Sequence, residues 1–175
     1  MGQLNIYLIG YMGSGKTYQG RRLASLLKRR FVDLDQSITE RTGYPIPELI
    51  AERGLEVFRR IEKESLHATA GLSAAVIACG GGTPCYFDNM QWINRHGVSV
   101  YLDTPVSLLV KRLAPERAGR PLLAGLSEKE VPGFIEAHLA ERSAFYNQAH
   151  IRYKQAAQIS AAEELAAYLE RIIGH

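Results

Sequence analysis

Cysteine is scarce: Cys79 and Cys85 are the two in 175 residues. They are too few for a disulfide framework and are not spaced as a CxxC redox pair. Long apolar runs are missing too. No stretch approaches the roughly eighteen residues a membrane span needs, and no basic-then-apolar segment of the secretory kind opens the chain. Ile6 stands where a myristoylation motif wants Ser or Thr. Charge has no strong sign: 21 Lys and Arg against 18 Asp and Glu leave +3. That is too little for a dedicated nucleic-acid binder, though it suits an anionic small molecule. Repeats, linkers and low-complexity tracts are absent, and the hydrophobic (46%) and charged (22%) fractions are ordinary, which sets aside disorder, collagen and coiled coil. The expectation is one domain over residues 1–175, cytoplasmic, with no membrane and no nucleic-acid partner.

What is present is an alternation. Leu4 to Ile9, Phe31 to Leu34, Ala75 to Cys79, Val98 to Leu102 and Ile151 to Tyr153 read as short buried strands. Amphipathic stretches lie between them. Residues 16–29 carry Leu23, Leu26 and Leu27 and end in Lys28-Arg29-Arg30; residues 55–70 carry Val57, Phe58, Ile61 and Leu66, with Gly71 as a stop. Leu165, Tyr168, Leu169, Ile172 and Ile173 keep helical spacing behind a capping box of Ser160 and Glu163. Thr104 before Pro105 predicts an N-cap with proline at the first helical position. Strand and helix in turn predict an α/β fold, a parallel sheet with helices on both faces. Residues 115–127 break the rhythm with Arg117, Gly119, Arg120, Pro121 and Gly125. A basic loop of that length is either functional or a solvated surface loop.

Gly10-Tyr11-Met12-Gly13-Ser14-Gly15-Lys16-Thr17 matches GxxxxGK[ST] at every fixed position. Chance supplies roughly 0.006 such matches in a chain this long. The motif also follows a strand and opens a helix, as a phosphate-binding loop must. Its glycines let successive backbone N–H groups turn inward around phosphates at a helix N-terminus that favours anions. Lys16 would bridge the β- and γ-phosphates, and the Thr17 hydroxyl would ligate Mg²⁺. A nucleoside-triphosphate site follows. A switch GTPase does not, because NKxD and DxxG motifs are lacking.

Four further signals carry chemistry. Asp33 and Asp35 fall at the end of the second strand, where alternate residues face one way. One suits Mg²⁺ through water and the other can accept a hydroxyl proton, unless Asp35 merely caps the next helix. Arg59 and Glu62, three apart, share a helical face; they hold a ligand carboxylate or form a surface salt bridge. Gly80-Gly81-Gly82 after a strand is either a close approach of ligand to backbone or a loose turn. Arg142 is ambiguous by itself. Cys79 reads as a buried strand filler, Cys85 stays open, and His150 and Tyr153 read as packed or solvent-facing.

In order, GxxGxGKT at 10–17, FxDxD at 31–35, FRxxE at 58–62, GGG at 80–82, RPLL at 120–123 and ERxxFY at 141–146 resemble the shikimate kinases over nearly the whole chain. The resemblance implies a P-loop kinase of nucleoside-monophosphate-kinase type with a five-stranded parallel sheet, a substrate-binding helical region at about 36–62 and a lid at about 115–127. It implies transfer of the ATP γ-phosphoryl group to the 3-hydroxyl of shikimate in aromatic amino-acid biosynthesis, with Mg²⁺. By position, Lys16, Asp35 and Arg120 would be catalytic, Asp35 as base and Arg120 arriving with the lid. Gly13, Ser14, Gly15, Lys16, Thr17, Tyr18, Arg112 and Arg120 would bind nucleotide, and Thr17 and Asp33 would serve the metal. Asp35, Arg59, Gly80, Gly81, Gly82 and Arg142 would hold shikimate, the two arginines gripping its carboxylate. Ile46, Ile50 and Phe58 fall where the family has an apolar wall, or on an ordinary core face. Lys154 to Gln158 departs from the family's adenine-contacting segment. The alternatives are a gluconate or nucleoside monophosphate kinase, or a non-catalytic nucleotide-binding homologue. Nothing demands an oligomer, so a monomer is expected.

Overall fold

Every residue of Asn5–Ile9 is buried, as a strand covered on both faces must be. The computed structural model describes residues 4–120, 122–156 and 161–173. In chain order they form β1 (Asn5–Ile9), α1 (Lys16–Leu26), β2 (Arg30–Asp33), α2 (Leu34–Thr42), α3 (Ile46–Arg53), α4 (Leu55–Ala68), β3 (Ala75–Ala78), α5 (Asn89–His96), β4 (Gly97–Asp103), α6 (Val106–Leu113), α7 (Val131–Tyr146), β5 (Ile151–Lys154) and α8 (Ala161–Ile173). The five strands make one sheet in the order β2-β3-β1-β4-β5, and each pairing is parallel.

Strand alternation divides the interior in two. Tyr7 and Ile9 of β1, Ala75 and Ile77 of β3 and Tyr101 of β4 face a core built with Ile38, Leu49, Phe58, Leu66, Ile93, Leu109 and Ile135 from α2 to α7. Ile6 and Leu8, Val76, and Val100 and Leu102 face the opposite way, onto Leu23 and Ala24 of α1 and Leu165, Ala166 and Leu169 of α8. Three layers result, as the alternation predicts, with two helices on one side and the rest on the other.

Several boundaries differ from the sequence expectation, each for a local reason. Helix α1 stops at Leu26 and is closed by the first two residues of the basic triplet: Lys28, at φ 53°, donates its amide to Ser25 and Arg29 donates to Ala24, while Arg30 already opens β2. Strand β2 is an edge strand with β3 between it and β1, yet the Asp33 carboxylate still accepts from the Thr17 hydroxyl of the phosphate loop. Thr104 caps nothing. Pro105 precedes the first residue of α6, its carbonyl accepts from Leu108 and Leu109, and the Thr104 hydroxyl donates back to Leu102. Ser160 of the capping box and Pro121 lie outside the described residues, as do Ala157 and Gln158. Among the described residues, 115–127 is no loose loop: a 3-10 stretch at Ala114–Gly119 leads to Leu123, which is fully buried, and Leu126 packs on the same core. Ile46 and Ile50 pack against that core and Phe58 lies within it.

Candidate active site

Strands β1, β2 and β3 all end at one rim of the sheet, where the strand order departs in both directions from β1; open parallel sheets bind ligands at such a point. Strand β1 runs into Gly10 and the loop returns at Lys16. Gly13 holds φ +79° with its Cα against Leu113, where a Cβ would lie 2.9 Å from Cγ. Gly15 precedes α1 at φ +86° and supplies no side-chain cap, so the anion-attracting end of α1 is left without a side-chain partner. The Ser14 hydroxyl is buried and unpartnered among the described residues.

The loop folds around its own lysine. Lys16 Nζ donates to the carbonyl oxygens of Gly10 at 2.8 Å and Tyr11 at 2.9 Å. Burial pulls its pKa down to about 8, and Arg120 adds to this, while Asp35 and Asp33 oppose it. Beside it opens a cleft of about 630 Å³ lined by Gly13, Gly15, Lys16, Thr17, Tyr18, Asp33, Asp35, Gly80, Gly81, Arg112 and Arg120, with Cys79 at its base. Burial drives the Cys79 thiol far above its usual range and pushes Cys85 up to about 11, so neither is a ready nucleophile.

Asp33, not Asp35, caps α2: its Oδ1 accepts from the Gln36 amide at 3.2 Å while its Oδ2 accepts the Thr17 hydroxyl at 2.6 Å. Asp35 sits inside the first turn of α2, so it reaches the cleft from a helix rather than by strand alternation. Burial raises its pKa to about 6, with Glu62 and then Asp33 adding and Lys16 and Arg59 opposing. The residue is nevertheless open to water in the cleft. That water screens the carboxylate, so the upward shift is largest when closure expels it.

Arg59 and Glu62 are no surface pair. Their side chains are 13% and 1% exposed. Arg59 Nη1 donates to Glu62 Oε2 at 2.7 Å, and the Thr83 hydroxyl donates to Oε1 at 2.6 Å. The guanidinium carbon lies 4.0 Å from the centre of the Tyr86 ring, a cation–π platform.

The three glycines are approached by the protein's own atoms. A Cβ on Gly80 would stand 2.9 Å from Asp35 Oδ1 and from Glu62 Oε1; on Gly81, 3.3 Å from the backbone nitrogen of Met12 in the phosphate loop and 3.6 Å from Arg142 Nη1; on Gly82, 2.7 Å from Arg59 Nη2. Consecutive glycines thus abut Asp35, Arg142 and Arg59 in turn. Gly80 and Gly81 line the cleft, whereas Arg59, Arg142, Gly82 and Ser14 are not among its lining residues.

On the nucleotide side, Arg112 Nη1 donates at 3.2 Å to both the Gly13 carbonyl and Gln155 Oε1. Gln155 Nε2 donates to the Ser14 carbonyl at 2.8 Å, and its own amide to Asp103. Tyr18 is 61% exposed at the rim, its hydroxyl accepting from Arg22. Arg120 pairs with Glu116, four residues back. Thr83 and Tyr86 are not singled out in the sequence, and Gln155 enters it only within the Lys154 to Gln158 segment that departs from the family. The structure buries that amide and gives it partners. His150 packs by bonding Ser99, and Tyr153 donates to Glu164.

A family model described as Shikimate kinase matches residues 12–173. A shikimate kinase from Parabacteroides distasonis is 43% identical over 148 residues, 85% of this chain and 86% of that one. A crystal structure of shikimate kinase from Bacteroides thetaiotaomicron superposes with a TM-score of 0.89 at 36% identity, covering 99% of both chains. One from Acinetobacter baumannii, described as in complex with shikimate, gives 0.86 at 34% identity over 98% of this chain and 94% of that one. A nucleotide loop, a cleft and a carboxylate-and-guanidinium corner thus sit on a scaffold matched from end to end, and the chain belongs to the shikimate kinase family.

Proposed function

We propose that the chain transfers the γ-phosphoryl group of ATP to the 3-hydroxyl of shikimate, giving shikimate 3-phosphate and ADP. The observation that carries this reading is the glycine run. Asp35, Arg142 and Arg59 lie against three consecutive residues, and Gly80 and Gly82 are at most about 7 Å apart along an extended backbone. One base and two guanidinium groups at that spacing suit a small ring with a hydroxyl at one end and a carboxylate at the other.

In this reading Lys16 exchanges two loop carbonyls for phosphate oxygens and neutralises charge that grows during transfer. Asp35 accepts the hydroxyl proton; a pKa near 6 leaves it ionised at neutral pH yet basic enough for the task. Glu62 fixes Arg59 through Nη1, leaving Nη2 for the substrate carboxylate, and Arg142 closes on it from α7. Gly80, Gly81 and Gly82 keep the wall thin enough for these contacts. Ser14, Gly13, Gly15, Tyr18 and Arg112 surround the nucleotide. Arg120 exchanges Glu116 for phosphate when residues 115–127 close as a lid, and residues 36–62 form the shikimate-binding region. The Thr17 hydroxyl and the Asp33 carboxylate, 2.6 Å apart, are hard oxygen donors that fit Mg²⁺ with water and phosphate. Bound there, the ion would neutralise phosphate charge. The protein acts as a cytoplasmic monomer on a small molecule, with no nucleic acid or membrane as partner; among the described residues no helix is long and apolar enough to cross a membrane.

A coupled ADP-release assay with shikimate, gluconate and CMP tests the assignment. ADP release that depends on shikimate is expected. Faster release with gluconate or CMP, or none with any acceptor despite ATP binding, would overturn it.

A further inference from the structure

Helix α7 presents His138, Arg142 and Tyr146 at successive steps of four, a single stripe along one face. All three meet either Tyr11 of the phosphate loop or Gly81 of the glycine run. The Tyr146 hydroxyl donates to the Gly81 carbonyl at 2.6 Å, which fastens the C-terminal end of the stripe to the glycine run. His138 Nδ1 lies 2.9 Å from the hydroxyl of Tyr11, which fastens the other end to the phosphate loop. Between the two anchors, the Arg142 guanidinium stands 5.8 Å from the centre of the Tyr11 ring and against Gly81.

Tyr11 therefore meets three partners through three different parts. Its carbonyl accepts the Lys16 ammonium at 2.9 Å, its ring face meets Arg142, and its hydroxyl meets His138. It is 1% exposed. A phenylalanine would fill that space and still underlie Arg142, so the hydroxyl is not needed for packing. What it adds is a fixed distance. A hydrogen bond with a preferred length and direction holds α7 against the loop where apolar contact alone would let it slide.

We propose that Tyr11 and His138 are positioning residues: their hydrogen bond sets Arg142 at the distance from the phosphate loop that the acid substrate requires. The role rests on the reading of Arg142 as a shikimate ligand. A buried tyrosine that merely satisfies its hydroxyl would contribute to stability alone. The two roles separate in kinetics.

Tyr11→Phe, His138→Leu, the double variant and His138→Gln, whose amide can still meet the Tyr11 hydroxyl, are assayed well below their melting temperatures. Each single variant is expected to raise the shikimate KM about three- to tenfold, the range one net hydrogen bond supports. The ATP KM should stay within twofold and kcat should fall less than KM rises. The double variant should be no worse than either single one, and His138→Gln should recover most of the loss. Tyr11→Phe is close to isosteric, so calorimetric binding of shikimate to it decides the matter even where His138→Leu does not fold. Lower melting temperatures with unchanged shikimate KM, or effects that add in the double variant, would overturn the proposal. Wild-type protein without shikimate-dependent turnover would instead remove the functional reading and this role with it.

Discussion

Asp35 and Glu62 show how two carboxylates on neighbouring helices take different parts. Asp35 faces the cleft and Glu62 lies under it, bonded to Arg59 and Thr83. Burial, with Glu62 and then Asp33 adding, lifts Asp35 to about 6, against about 3.9 for an unfolded aspartate. The folded state thus favours the protonated carboxyl: its stabilising effect is full below pH ~4 and lost as the pH rises through ~6. Asp35→Asn should accordingly raise the melting temperature at pH 8 and leave it nearly unchanged at pH 4, by calorimetry at both values. In kinetics the sign reverses under the role proposed for Asp35, in which the ionised form accepts the hydroxyl proton. The wild-type kcat/KM for shikimate should climb through about pH 6, whereas Asp35→Asn should lose the limb and on the order of 10²–10⁴ in kcat. Glu62 pushes Asp35 upward, so Glu62→Gln should move that limb to lower pH. Glu62→Ala leaves Arg59 buried without its partner and should cost about 3–5 kcal/mol, seen as a lower urea midpoint at unchanged slope.

At the scale of elements, the glycine run gives the sharpest test of geometry. Gly82→Ala would place a methyl group 2.7 Å from Arg59 Nη2, the far end of a flexible side chain, so the guanidinium gives way rather than the backbone. The shikimate KM should rise about ten- to a hundredfold, the range for a hydrogen bond to a charged group, and the melting temperature should fall as well, because the same methyl group would stand 2.9 Å from the Nη1 that binds Glu62. A large loss of stability with normal shikimate binding would contradict the placement. The run also marks the limit of what the sequence reveals. Three glycines after a strand signal a close approach, but the atoms approached come from α2, α4 and α7, far away in the chain. The phosphate loop was legible because all its parts lie within eight residues at fixed spacing. Arg59 and Glu62 were legible as a pair, whereas their burial depends on β3 delivering Thr83 and Tyr86. Gln155, Tyr11 and His138 are ordinary residue types whose roles exist only once β5 and α7 pack beside the loop. Asp35 lines the cleft from the first turn of α2 and not by strand alternation, since the chain turns helical one residue before it.

For the whole molecule, the two-sided sheet was legible from burial pattern and alternation, and its unequal cover was not: which helix lies on which face depends on long-range packing. The charge buried at the sheet's rim has a global cost. Lys16 is pulled down to about 8 from 10.5, so the contribution of this one group to stability is full above pH ~10.5 and is lost as the pH falls through ~8. Lys16→Met should therefore melt higher than wild type at pH 7, with the difference shrinking toward pH 10, while kcat falls by on the order of 10²–10³. Nucleotide at a hundred times its Kd should stabilise wild type by about 2.7 kcal/mol and Lys16→Met by much less at the same concentration, which thermal shift with ADP will read.

The phosphate loop grips its own lysine, and the grip ties two properties together. Because the carbonyls of Gly10 and Tyr11 both accept from the Lys16 ammonium, the backbone path of residues 10–16 and the place of its one cation are set by the same bonds. A change that bends the loop therefore also displaces the charge.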